Sequence, residues 1–155
     1  MAEKIGVYFD TQNIGPLLDC EALAEKVRNK WNKACPVVKQ DDHLATEAGK
    51  QLIQADIDSG EIDSVCICGS SPRVDWDIFD FGSHVLVERV NLREQCVWPF
   101  RNPDGTIPQK AEEADKLLAE NALDYINMSI SKLQKSDLPQ PEDLEIVKQI
   151  GRAHV

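Results

Sequence analysis

Ser64-Val65-Cys66-Ile67-Cys68, running into Gly69-Ser70-Ser71-Pro72-Arg73, is the stretch that frames this chain. Small and branched apolar residues stopped by a glycine, serines and a proline read as a short buried strand with a turn at its exit. The same signature recurs on both sides. Residues 4–9 (Lys-Ile-Gly-Val-Tyr-Phe) form a first strand ending in the polar loop Asp10-Thr11-Gln12-Asn13. Residues 36–38 give a weaker second strand, and residues 84–90 a fourth, which exits into Asn91-Leu92-Arg93-Glu94-Gln95-Cys96-Val97-Trp98.

Helical patterns fill the intervals. Asp19 can cap a helix reaching about residue 32, with Leu23, Val27 and Trp31 on one face. Thr46 can cap another, with Ala48, Leu52, Ile53, Ala55 and Ile57 facing inward and Gly60 ending it. A short helix is expected over residues 75–81. A turn is expected at Asn102-Pro103-Asp104-Gly105, then a long amphipathic helix over residues 108–134 with Leu123, Ile126, Ile130 and Leu133 at three-to-four spacing. Alternation at this rhythm predicts an α/β fold: a Rossmann-like three-layer domain with a four-stranded, mainly parallel sheet and a long C-terminal helix. Residues 1–134 form that domain, and residues 135–149, with Ser-Asp-Leu-Pro-Gln-Pro at 136–141, form an extended linker. Ile150-Gly151-Arg152-Ala153-His154-Val155 matches what a common sequencing adapter encodes in one reading frame. It is set aside as an artefact. The natural chain is expected to continue past residue 149, and removing the last six residues is expected to leave stability unchanged.

Composition narrows the function. The 155 residues suffice for one core without disulfides or metals. A net charge of −10 repels phosphate backbones and excludes nucleic acid as a partner. No apolar run reaches membrane length, so no direct membrane insertion is expected. Five cysteines, odd in number and without a C-x-x-C, point to a reducing cytoplasm rather than a disulfide scaffold.

In a parallel sheet the strand exits share one edge, where open α/β folds build their sites. Asp10, Gln12, Ser70, Arg73, Arg93, Glu94 and Cys96 all follow predicted strands and should meet in one shallow patch, with Asp10 accepting from Arg73, Arg93 or a local backbone amide. Arg93 beside Cys96 suggests a lowered thiol pKa. Each feature has a plainer reading. The Asp10–Asn13 loop is a solvated turn, because Gly15 alone is no G-x-G-x-x-G. Cys66 and Cys68 are small core residues. His43, with Asp41 and Asp42, sits in a surface loop. Ser70 and Ser71 lack a G-x-S-x-G setting, which excludes a hydrolase elbow. No catalytic residue is assigned.

The segments Ile5-Gly6-Val7-Tyr8, Ile14-Gly15 with Glu21-Ala22-Leu23-Ala24, Ser71-Pro72-Arg73-Val74, Phe79-Asp80-Phe81-Gly82, residues 90–95 with Trp98, and residues 135–141 together resemble the N-terminal domain of the heterodisulfide-reductase-A family. Within that family they look most like the flavoprotein branch found in the quinone-interacting membrane-bound oxidoreductase. The resemblance implies an electron-transfer flavoprotein whose next domain binds FAD, with iron–sulfur clusters elsewhere in the protein. It implies as partners that downstream FAD domain and the other components of a redox complex, and association with a membrane complex only through them. Family members place cluster cysteines after the first strand, before the second helix and before the serine-proline-arginine motif. At those places this chain carries Asp10 and Gln12, Ala45, and Ser70; Cys96, at a further position, is the one that sits where many relatives have cysteine, and it is a weak metal candidate by itself. A cluster wants about four thiolates. The expected role is therefore a cluster-free docking domain, with no cofactor in this fragment. A stand-alone interaction or regulatory domain is the alternative, and a nucleotide-binding protein lacks the glycine-rich turn it would need.

Overall fold

The computed structural model describes residues 3–140. Most of the expected linker, from residue 141, and the tail from Ile150 to Val155 lie outside the described residues. The elements are β1 (Ile5–Asp10), α1 (Thr11–Ile14), α2 (Cys20–Trp31), β2 (Val37–Asp41), α3 (Glu47–Asp58), β3 (Ser64–Gly69), β4 (Leu86–Asn91) and α4 (Lys116–Lys135). The four strands form one sheet in the order β2-β1-β3-β4. Every pairing is parallel: Val7 lies beside Val38 and Cys66, and Cys66 beside Glu88.

Side-chain alternation along the strands sorts the core into two layers. Ile5, Val7, Phe9, Cys66, Cys68 and Val90 face α2 and α4. Tyr8, Val65 and Ile67 face Ile53 of α3, together with Phe79, Phe81 and Val85 from the long β3–β4 connection. The result is the three-layer architecture that the sequence pattern predicts. α4 supplies Leu118, Ala122, Ile126, Ile130 and Leu133 to the first layer. A fully buried side chain such as Ile126 contributes about 1.5–3 kcal/mol. The α2 crossover uses one face and α3 the other, so the chain changes direction at β1 and β3, and the exits of those two strands frame a crevice.

The expected caps are in place. The Asp19 carboxylate accepts from the Ala22 amide at 3.0 Å, and the Thr46 hydroxyl from the Gly49 amide at 3.3 Å. Gly60 ends α3 with φ +74°. The 102–105 turn closes through the Gly105 amide on the Asn102 carbonyl.

Three local expectations are corrected. In α3, Ile53 is buried and Leu52 and Ile57 pack against the same layer as expected, but Ala48 and Ala55 are exposed and Gly49 and Asp56 are buried instead. Gly49 decides this. A Cβ there would collide with the Leu44 carbonyl oxygen, so the bare backbone lets the helix sit tight on the loop before it. Residues 75–81 are turns, not a helix. Asp75 has φ +52°, and Phe79 and Phe81 are both buried two residues apart, a spacing no helix face gives. The long helix starts at Lys116 rather than residue 108. Asn102 holds the Asp115 amide and the Glu113 carbonyl, which keeps the preceding segment folded as a loop. Asp115 then caps the helix through the Leu117 amide. Among the described residues, no helix is long and apolar enough to cross a membrane.

Candidate functional site

β1 ends on Asp10, β3 on Gly69 and β4 on Asn91, at one end of the sheet. Asp10 is 1% exposed. Gly69 abuts it so closely that an added Cβ would lie 2.7 Å from the Asp10 Cβ. Asp10 Oδ2 accepts from Asn13 Nδ2 at 2.5 Å, and Asn13 Oδ1 accepts from Arg93 Nη1 at 2.6 Å. The Arg93 guanidinium lies over the Trp98 ring, 5.0 Å from its centroid, and reaches Glu94 at 3.3 Å. Arg93 begins a single π-type turn, Arg93–Val97, in which the Trp98 amide bonds the Arg93 carbonyl at 2.9 Å.

A second arginine organises the other side. Arg89 Nη2 donates to Ser70 Oγ at 2.9 Å and to the Ser71 carbonyl at 3.2 Å. Its Nη1 donates to the carbonyls of Val74 and Asp75. The guanidinium also stacks on Phe79 at 4.4 Å. One side chain thus gathers the whole loop leaving β3. Burial holds the Arg89 pKa below its ordinary value. Burial also raises the pKa of Asp10, against the lowering effect of Asn13 and Arg89. Among the described residues, Asp10 Oδ1, Arg89 Nε and Arg93 Nε are buried atoms without a hydrogen-bond partner. All three belong to this edge.

The geometry sorts the sequence candidates. Asp10 and Arg93 share one network through Asn13, with Glu94 at its rim, and Ser70 belongs to the Arg89 set. Arg93 reaches Asp10 through Asn13 rather than directly, because the Asn13 carboxamide can donate to one and accept from the other. Arg73 stays exposed, and its amide donates to Ser71 Oγ. Gln12 is exposed on α1. Ala45 packs beside the cluster containing Leu44 and Ile53. Cys96 is 5% exposed in the α2/α4 layer of the core. Burial pushes its thiol up to about 11, which corrects the expectation that Arg93 lowers it. The other thiols are also buried, and burial raises Cys20 to about 11, Cys35 to about 12, and Cys68 above its ordinary value.

Sequence reasoning missed Arg89 and Asn13 as organisers. The available signal for Arg89 was a charge inside the apolar run Val87-Glu88-Arg89-Val90. A charged side chain half-buried on a strand needs partners, and here the Ser70 hydroxyl and three backbone carbonyls provide them.

An iron–sulfur cluster does not fit this donor set. A carboxylate, a carboxamide, a methyl group and a hydroxyl held by Arg89 stand at the implied ligand positions, and the one thiol, Cys96, is packed into the core. The exposed loop Asp41-Asp42-His43 brings three ligand atoms within 4.8 Å of one another. It satisfies itself: His43 Nδ1 lies 2.7 Å from Asp42, and the His43 amide bonds Asp41.

The site belongs to the class of parallel α/β domains whose strand exits carry a polar, arginine-centred edge. No family model matches the chain. It is 30% identical over 138 residues to the A-type component of the ferredoxin:CoB-CoM heterodisulfide reductase of Methanosarcina mazei, covering 83% of this chain and 16% of that protein. The A-type component of the ferredoxin/F(420)H(2)-dependent CoB-CoM heterodisulfide reductase of Methanosarcina acetivorans is 29% identical over 140 residues, with the same coverage of each chain. An A-type iron-sulfur component of the CoB–CoM heterodisulfide reductase of Methanopyrus kandleri is 23% identical over 142 residues, 86% of this chain and 21% of its own length. The chain therefore spans about a sixth to a fifth of the curated relatives it matches.

Proposed function

We propose that this chain is the front domain of a heterodisulfide-reductase-A-like electron-transfer flavoprotein, and that it serves structure and docking rather than carrying a cluster. The observation that supports this most is the similarity to A-type heterodisulfide reductase proteins along 83% of the chain, combined with a donor set that lacks four thiolates. The finer assignment is to the flavoprotein branch found in the quinone-interacting membrane-bound oxidoreductase, on the paired serine-proline-arginine and asparagine-leucine-arginine-glutamate-glutamine motifs. FAD and iron–sulfur clusters would reside in the remainder of the protein. Its partners would be that remainder and the other proteins of a cytoplasmic redox complex.

Two experiments test the reading. The gene, read uninterrupted past residue 149, is expected to encode a strand followed by G-x-G-x-x-G. A stop codon, or a continuation without that motif, favours the stand-alone interaction domain instead. Anaerobic incubation of the chain with iron and sulfide is expected to leave it without stoichiometric visible absorption. A stable bound cluster would overturn the docking role.

A further inference from the structure

We propose that the cleft along the free edge of β4 receives an extended segment of a partner chain in which acidic and apolar residues alternate. The identity of the partner rests on the docking reading above. The mode of binding rests on the cleft itself.

β4 is an outer strand and, among the described residues, pairs only with β3. Beside it lies a cleft of about 680 Å³. Glu88 to Asn91 of β4 form its floor, the Ser71–Arg73 loop one wall, and α4 from Tyr125 to Lys132 the other. An open strand edge offers backbone donors and acceptors in a fixed row, and another extended backbone is the partner that matches the row.

Charge selects the segment. The chain carries −10, yet the carboxylates of this cleft are already matched. Glu88 is paired with Lys132 at 2.6 Å, and Glu94 with Arg93 and Asn91. Among the described residues Arg89 hydrogen-bonds neutral oxygens, while the carboxylates of Asp75 and Asp10 balance part of its charge through space. The Arg73 guanidinium bonds none of the described residues, although it lines the cleft. Arg73 is thus an unpaired cation lining a cleft of an acidic molecule, and it attracts an incoming carboxylate. The walls differ in a second respect. Arg73 stands on the loop wall, and Met128, 58% exposed, on the α4 wall. Successive side chains of a strand point to opposite faces. A strand laid on β4 would send its acidic residues toward Arg73 and its apolar residues toward Met128.

The test uses the ¹⁵N-labelled full chain and three synthetic hexapeptides: alternating Glu and Val, alternating Lys and Val, and alternating Glu and Pro. The Glu–Val peptide is expected to give saturable amide shifts in Glu88 to Asn91 and in Ser71 and Arg73. The other two should bind at least about tenfold more weakly. Arg73→Glu, at an exposed position, should reverse the preference toward the Lys–Val peptide. Equal binding of the Glu–Pro peptide, or the same shifts with inorganic phosphate, would make this an anion site without strand addition and overturn the proposal. So would shifts on another face, or no saturable shift at millimolar peptide. A domain that docks through another face fails this test yet still associates with the downstream flavin domain supplied in trans, so the two failures are distinguishable.

Discussion

Replacing Arg89 by Ala should unfold the strand-exit loop before it affects the rest of the sheet. The guanidinium makes bonds to Ser70 Oγ at 2.9 Å, to the carbonyls of Ser71 and Val74 at 3.2 Å each, and to Asp75 at 3.4 Å. Ser70 is 1% exposed and Ser71 5%, so in the variant their oxygens lose a donor where water does not replace it. Each such loss costs about 1–3 kcal/mol. Val74 and Asp75 are exposed, and water recovers most of their share. The Phe79 stack adds about 0.5–2 kcal/mol. Removing a buried charge, whose pKa burial already depresses, offsets part of the loss. The net expectation is about 2–4 kcal/mol for Arg89→Ala, and nearly as much for Arg89→Met, which keeps a long side chain but loses the same four bonds and the guanidinium stack. Urea unfolding followed by circular dichroism reads it. With a slope of about 1–3 kcal/mol per molar, the midpoint should fall by on the order of 1–2 M. Ser70→Ala in the Arg89→Ala background should then cost about 1 kcal/mol less than in the native chain. The Val74 amide, which bonds the Ser71 carbonyl at 3.1 Å, should lose hydrogen-exchange protection first. A loss under about 0.5 kcal/mol, or strict additivity with Ser70→Ala, would refute the claim that Arg89 gathers this loop.

Other groups make separate predictions. Tyr8→Phe removes the bond from the Tyr8 hydroxyl to Asp56 Oδ2 at 2.8 Å but leaves Asp56 bonded to Lys39. It should cost about 1–2 kcal/mol in the same urea assay, and a neutral result would show that Lys39 alone satisfies the carboxylate. Asp10 has a pKa raised in the folded state, so the native protein holds that proton more tightly than the unfolded chain. Its contribution is fully present below the usual carboxylate value and is lost as pH rises through the raised pKa. The stability of the native chain minus that of Asp10→Asn should therefore fall as pH rises above the usual carboxylate range, and a rise there would contradict the burial argument. All five thiols are buried. A thiol reagent at pH 8 should label less than one per folded chain and all five after unfolding, whereas rapid labelling of Cys96 would place it at the surface.

The class of fold was legible before any coordinates. Short apolar runs between capped helical segments admit few arrangements other than a parallel sheet with helices on both faces. The Asp19 and Thr46 caps and the Gly60 stop could be read because capping and chain reversal depend on neighbouring residues alone. So could the alternation that buries Cys66 and Cys68, and the sharing of one sheet end by the strand exits. Whatever depends on partners distant in the chain was set only on folding. The segment after β3 turns at its start because Arg89 takes the carbonyls of Val74 and Asp75, 15 and 14 positions before it. Residues 108–115 stay out of α4 because Asn102 holds the Asp115 amide. The inward stripe of α3 follows from the approach of Gly49 to the Leu44 carbonyl. Arg93 reaches Asn13 across 80 positions instead of tuning Cys96 beside it. Local propensity and periodicity carry no information about such pairings. A buried charge settles on whichever oxygens the folded chain brings within reach, and that choice exists only once the sheet has assembled.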